Sequence, residues 1–238
     1  MKKILKLVSK REIAENTLEF CFEKPDDLNF KNGQHFVIKI DNLSMIDEKG
    51  NERVFSVVSS ANDKNLCFAT RIRDSAFKKT LKSLNQGDEV EVDGPYGYMT
   101  LPKSIDKDLV FIAGGIGITP FIGMIRYAIQ ENLQFRIYLF YSNRRPEDAA
   151  YLDELLNYNK EGKIKLIATM TQWQDSRISW EGEKGYIDET MLKKYIPDLN
   201  NVIFYIAGPP EMVSAMRSLL ENLNVDDSSI KSEDFTGY

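Results

Sequence analysis

LVFIAGGIGITPFIGMI, residues 109–125, runs for seventeen residues without a charge, and its reading decides the fold. An uncharged run of that length is barely long enough to cross a bilayer. Its centre argues against a span, because Gly114, Gly115, Gly117 and Pro120 put four poor helix formers into seven positions. The better parse is a short buried strand (Val110 to Ala113), a tight glycine turn (Gly114 to Gly117) and a helix opening at Thr119-Pro120. Thr119 is predicted to cap that helix through its hydroxyl, and Pro120 suits the first helical position because its missing N–H is not needed there. A strand, a glycine turn and a helix in that order make one arm of a doubly wound sheet and a natural cradle for a phosphate.

Working outward, two rhythms emerge. Up to about residue 103, short β-rich runs (ILKLVSKREI, TLEFCFEK, HFVIKI, RVFSVVSS, LCFATRI, DEVEVDGPYG) alternate with Gly-, Asn- and Asp-containing turns. A six-stranded antiparallel β-barrel is expected, interrupted by one helix over Ser75 to Leu84. Beyond it, apolar strands alternate with amphipathic helices, which predicts a parallel sheet covered on both faces. The expected fold is therefore two-domain β + α/β, with a barrel over residues 1–103 and a doubly wound domain over 104–238.

The 238 residues carry a net charge of −5, which argues against nucleic acid as a partner. Cys21 and Cys67, each in an apolar strand setting, read as two separate buried thiols compatible with a reducing cytoplasm. With no CxxC pair and one histidine, His35, no metal site is expected. The opening MKKILKLVSK is broken by Lys6 and reads as a first strand, with no membrane span and no cleaved leader expected.

Other strand ends in the second half add to the glycine turn. Ser142, Asn143, Arg144 and Arg145 follow FRIYLFY at the edge where ligands gather. Hydroxyl and guanidinium donors there suit an adenosine 2′-phosphate, where a plain ribose would more often meet an acid; a solvated loop is the alternative. AGPPEM, residues 207–212, brings Gly208, Pro209 and Met212 to the start of another helix. The turn itself reads GxGxxP and departs from the common GxGxxG fingerprint at Pro120.

Four motifs in order, RVFS (53–56), GPYGYM (94–99), GGIGITP (114–120) and AGPPEMV (207–213), give the chain an end-to-end resemblance to the ferredoxin–NADP reductase family. The resemblance implies an FAD-containing oxidoreductase that takes hydride from NADPH, or from NADH, and passes electrons to a small redox protein or an oxygenase component. It implies that Arg53 pairs with the flavin diphosphate, that Phe55 lies against the ring system, and that Ser56 hydrogen-bonds near its reactive nitrogen, with Val54 completing the motif. Thr70, Arg71 and Ile72 resemble the stretch that lines the flavin, and Phe77-Lys78 a second phosphate grip, although SAFK stands where relatives have a Gly-x-x-Ser pattern. The coenzyme would lie on Gly114, Gly115, Gly117, Thr119, Pro120, Ser142, Asn143, Arg144, Gly208, Pro209 and Met212. Ala207 stands where many members place a cysteine, so packing, Ser56 and Thr119 would align the nicotinamide. Either Phe235 or Tyr238, with Phe235 preferred, would shield the flavin. A monomer in the cytoplasm is expected. Two rival readings are a reductase of diffusible flavin and an electron-transfer subunit or non-catalytic dinucleotide sensor of a larger complex.

Overall fold

The computed structural model describes residues 2–43, 47–48, 50–102 and 106–235. The chain divides into two units, Met1–Leu101 with Thr119–Gln130, and Pro102–Ile118 with Glu131–Tyr238.

In the first unit, β1 (Lys2–Ala14), β2 (Thr17–Glu23), β3 (His35–Lys39), β4 (Glu52–Ser56), β5 (Asn65–Arg71) and β6 (Glu89–Tyr96) form one antiparallel sheet in the order β4-β3-β6-β1-β2-β5. An antiparallel bridge between Val57 and Phe68 links the two edge strands, so the sheet curls into the expected barrel. Alternation sets its inside: Phe20, Phe22, Phe36, Phe55, Phe68 and Leu66 point inward and are buried. A fully buried phenylalanine contributes about 1.5–3 kcal/mol, so this aromatic cluster dominates the unit's stability. Helix α1 (Ala76–Ser83) plugs one end with Phe77 and Leu81, both buried. Ser75 caps it by accepting from the Lys78 N–H at 3.2 Å.

The cysteine expectation is corrected here. Cys21 and Cys67 are 46 residues apart in sequence yet stand as direct cross-strand partners of β2 and β5, joined in a disulfide. Only strand register brings them together, and register is not written in either local segment.

Helix α2 (Thr119–Gln130) belongs to this first unit. It packs closely because Gly123 has no side chain; a Cβ there would stand 2.6 Å from the Val57 carbonyl oxygen. Arg126 donates to the Val58 carbonyl at 2.7 Å and lies 3.6 Å from the Glu19 carboxylate, which also accepts from Arg11 at 2.6 Å. Glu19 is buried at 4% exposure, and two guanidiniums make that burial tolerable.

In the second unit, β7 (Asp108–Gly114), β8 (Ile137–Asn143), β9 (Lys165–Met170), β10 (Glu183–Lys184), β11 (Val202–Gly208) and β12 (Ile230–Asp234) are all parallel, in the order β10-β9-β8-β7-β11-β12. Helices α3 (Leu152–Lys160), α4 (Glu189–Tyr195) and α5 (Pro210–Asn222) connect them. Asp188 caps α4 and Pro210 opens α5, as the turn chemistry predicts. The two-residue β10 was not foreseen. The predicted Thr119 cap is also corrected: residues Gly115–Ile118 form a 3-10 turn that runs straight into α2, and Thr119 is already helical. Among the described residues no helix is long and apolar enough to cross a membrane.

Candidate functional site

Each unit carries part of the predicted constellation. In the first, β4 presents its residues alternately. Arg53 and Phe55 turn toward α1: the Arg53 guanidinium lies 5.3 Å from the Phe77 ring centroid, and Phe55 stacks on Phe77 at 5.9 Å. Arg53 also donates from Nη1 to the Gly50 carbonyl at 3.2 Å and the Glu52 carbonyl at 2.5 Å. Stacking on an aromatic face holds the planar cation in one orientation, suited to bidentate binding of a phosphate. Ser56 turns the other way, in register with His35. It is 2% exposed, and its hydroxyl finds no protein partner. A buried hydroxyl left unpaired costs about 1–3 kcal/mol, so a ligand that bonds it would be favoured there. Val54 is 56% exposed, a large apolar side chain left open beside these groups.

Thr70 is buried and Arg71 and Ile72 are half-buried at the end of β5; the Ile72 N–H is fixed by the Asn16 carbonyl at 2.7 Å. Phe77 is wholly buried, so only its backbone can face a phosphate, and the Lys78 N–H is already spent on Ser75. The Ala76 N–H, the next donor at this helix end, meets the Asp47 carboxylate at 2.7 Å. Asp47 therefore occupies the anion position that the helix dipole creates. No sequence signal pointed to it, because the contact spans 29 residues.

In the second unit, the order β8-β7-β11 reverses the direction of winding at β7, and the crevice beyond such a switch point is the usual ligand site of an open parallel sheet. The glycine turn and the AGPPEM segment meet there. A Cβ on Gly117 would lie 2.3 Å from the Ala207 carbonyl oxygen, and one on Gly114 would lie 2.3 Å from Met212 Sδ and 3.0 Å from Pro209 Cδ. Gly115 has a left-handed φ of 54° and open space around it. These glycines thus serve two needs, close packing at 114 and 117 and an exposed, strained backbone at 115. Phe235 follows β12, and its N–H donates to the Gly208 carbonyl at 3.0 Å, which puts it at this same end of the sheet. Tyr238, the other candidate shield, lies outside the described residues.

At the end of β8, Ser142 is half-buried and Arg144 exposed, whereas Arg145 is held by Asp148 through two bonds of 3.0 and 2.9 Å. Asn143 is 6% exposed, and neither its amide nitrogen nor its oxygen has a protein partner. Behind this edge, Glu147 fastens the loop after β9. It accepts from the Ser176 hydroxyl at 2.9 Å and the Arg177 N–H at 2.6 Å. Burial works to raise the Glu147 pKa, but the hydrogen bonds from its own backbone, Arg177 and Ser176, with Arg145 nearby, outweigh it and hold the carboxyl below the usual glutamate value. Among the described residues no group of acidic, histidine or cysteine side chains could hold a metal ion.

The buried Ser56 hydroxyl and the stacked Arg53 fit a flavin dinucleotide, and the glycine turn with the unsatisfied Asn143 amide fits a second dinucleotide. The comparisons concern the two domains. Residues 4–101 match the model of the oxidoreductase FAD-binding domain, and residues 111–218 that of the oxidoreductase NAD-binding domain. NADH-cytochrome b5 reductase 1 of Lodderomyces elongisporus is 28% identical over 92% of this chain and 74% of its own length. In structure, the chain is similar to the FAD/NAD-binding domain of nitric oxide dioxygenase from Vibrio cholerae, with a TM-score of 0.85 at 17% identity over 98% of both chains. It is also similar to the ferredoxin NADP+ reductase of Neisseria gonorrhoeae with bound FAD and NADP, with a TM-score of 0.80 at 22% identity over 98% of both. With both domain models matched in order on the fold just described, the chain belongs to the oxidoreductases that join an FAD-binding domain to an NAD-binding domain, and is an NAD(P)H-dependent FAD reductase.

Proposed function

We propose that the chain oxidises NADPH in preference to NADH and delivers the electrons singly to a small acidic redox protein or an oxygenase component, with residues 1–103 as the flavin domain and 104–238 as the coenzyme domain. When bound, FAD supplies hydride acceptance and one-electron release, chemistry that no side chain of the protein can perform. The protein's own task is binding and orientation. Arg53, held flat by Phe77, neutralises the flavin diphosphate. The Ser56 hydroxyl, already desolvated, gains its missing hydrogen bond from the ring system. Thr70, Arg71 and Ile72 offer a fixed strand end. Backbone N–H groups of the Gly114–Gly117 turn receive the coenzyme diphosphate, and Ala207, packed under Gly117, supplies a small apolar floor where a thiol is absent.

The observation that carries the flavin assignment is the Ser56 hydroxyl, buried and unsatisfied, three residues after an arginine stacked on Phe77. Preference for NADPH rests on Arg144, the exposed guanidinium at the end of β8 once Arg145 is bound to Asp148. An acidic acceptor is favoured by Arg73, Lys79 and Lys82, exposed around α1 on a chain that is acidic overall. A monomeric, cytoplasmic protein belongs to the same reading.

The test is an anaerobic titration. FAD-loaded protein that keeps its colour through desalting should bleach with one equivalent of NADPH; loss of the flavin on desalting would favour the diffusible-flavin reductase, and failure to bleach with either coenzyme would refute the assignment. Arg53→Ala should yield colourless protein. Arg144→Ala should raise the Michaelis constant for NADPH about tenfold, a loss of roughly 1.4 kcal/mol, and leave that for NADH alone.

A further inference from the structure

We propose that Cys21 and Cys67 form a thiol–disulfide exchange site for low-molecular-weight thiols and their disulfides, with Cys21 as the sulfur that the small molecule meets. Nothing in the oxidoreductase activity uses these residues. Their pairing follows from register: Cys21 faces Cys67 directly on adjacent antiparallel strands. Leu18, Phe20 and Phe22 of β2 point into the barrel, so Cys21 and Glu19 are on its outer face.

The two residues differ in exposure. Cys21 is half-buried, and its neighbour on β1 in the same row, Ser9, is exposed. Cys67 is 8% exposed. Its backbone is clamped on both sides, with its N–H donating to the Ser59 hydroxyl at 3.0 Å and its carbonyl accepting from the Val58 N–H at 2.9 Å. An incoming thiolate therefore reaches Cys21 first and expels Cys67 as the leaving thiolate. In the oxidising direction, the Cys21 thiolate attacks a small disulfide and releases one small thiol. Cys67 then attacks the Cys21 sulfur of the mixed disulfide and releases the second. Two electrons and two protons pass from the protein dithiol to the small disulfide, which becomes two thiols.

The site's position gives the exchange a consequence. The bond ties β2 to β5, and β5 leads within a few residues to Thr70, Arg71 and Ile72. Val57, next to Ser56, bridges to Phe68, the residue after Cys67. Closing a cross-link between residues 46 apart restricts the unfolded chain, so the oxidised protein is the more stable form.

The experiment uses the full-length, FAD-loaded protein in glutathione buffers, followed by alkylation in denaturant and peptide mapping. In excess oxidised glutathione, the peptides containing Cys21 and Cys67 should be linked to each other and resist alkylation; in excess reduced glutathione, both should alkylate. Cys67→Ser should trap a glutathione adduct on Cys21, while Cys21→Ser should acquire one on Cys67 at least about tenfold more slowly. The thermal midpoint should be several degrees higher oxidised than reduced, a difference absent from the C21S/C67S double variant, which also checks that both serines permit folding. Free alkylation of both residues in fully oxidised glutathione, equal adduct rates in the two single variants, or a redox-independent midpoint would each overturn the proposal.

Discussion

Gly117→Ala is the sharpest perturbation of the coenzyme turn, because its cost is steric alone. Gly117 does not occupy the left-handed region, so alanine suffers no conformational penalty there. Its Cβ, however, would stand 2.3 Å from the Ala207 carbonyl oxygen, 2.6 Å from the Ala207 carbonyl carbon and 2.7 Å from Gly208 Cα. Ordinary contact begins near 3.4 Å, so the turn and the end of β11 must part by about 1 Å. All three atoms are backbone, in a strand hydrogen-bonded to both β7 and β12, and no side chain can swing aside. Overpacking of this kind costs about 1–3 kcal/mol. A displacement of that size at a binding turn is expected to cut kcat/KM for the coenzyme by about a hundredfold. The assay pairs steady-state ferricyanide reduction at varied coenzyme with thermal melting and the flavin-to-protein ratio. Gly115→Ala is the control: it meets open space but is strained at φ 54°, so it should lose stability of about 1–2 kcal/mol without pushing on β11. Should Gly117→Ala keep kcat/KM within about twofold of the parent, or lose no more than Gly115→Ala does, the close approach of turn and strand is not what shapes the coenzyme site.

Asp47→Asn removes the carboxylate that meets the Ala76 N–H at the start of α1. The flavin-free protein should melt lower, while FAD affinity measured by fluorescence quenching should tighten about two- to fivefold, since a competing charge at a helix N-terminus is worth about 0.3–1 kcal/mol; weaker FAD binding would show that Asp47 is itself a flavin contact. Glu147 gives a pH-dependent effect. Its folded pKa lies below the unfolded value, so its contribution is complete above the ordinary glutamate range and disappears as pH falls through the depressed folded value. Amide hydrogen exchange at Arg177, whose N–H donates to Glu147, should therefore speed up, beyond the intrinsic trend, only on the acid side of that range, and Glu147→Gln should show the fast exchange already at neutral pH; an unchanged profile in the variant would refute the anchoring role.

Local pattern was enough for much of this protein. Alternation of apolar residues with Gly, Asn and Asp turns specified six antiparallel strands; continuous apolar runs between amphipathic helices specified the parallel sheet; and LVFIAGGIGITP showed where the two rhythms meet. These features are legible because each depends on neighbours a few residues away. Tertiary structure decided what depends on distant residues. The Cys21–Cys67 bond needed the register of β2 against β5, and Asp47 at the start of α1 needed a loop to return across 29 residues. The placement of α2 with the first unit rests on Gly123 beneath Val57 and on Arg126 between Val58 and Glu19. Even the glycine turn, evident as a motif, showed only in three dimensions that Gly117 is required by the backbone of Ala207, far along the chain. Periodicity determines which face of an element is buried; which far segment lies against it is set by packing and hydrogen-bond satisfaction over the assembled chain.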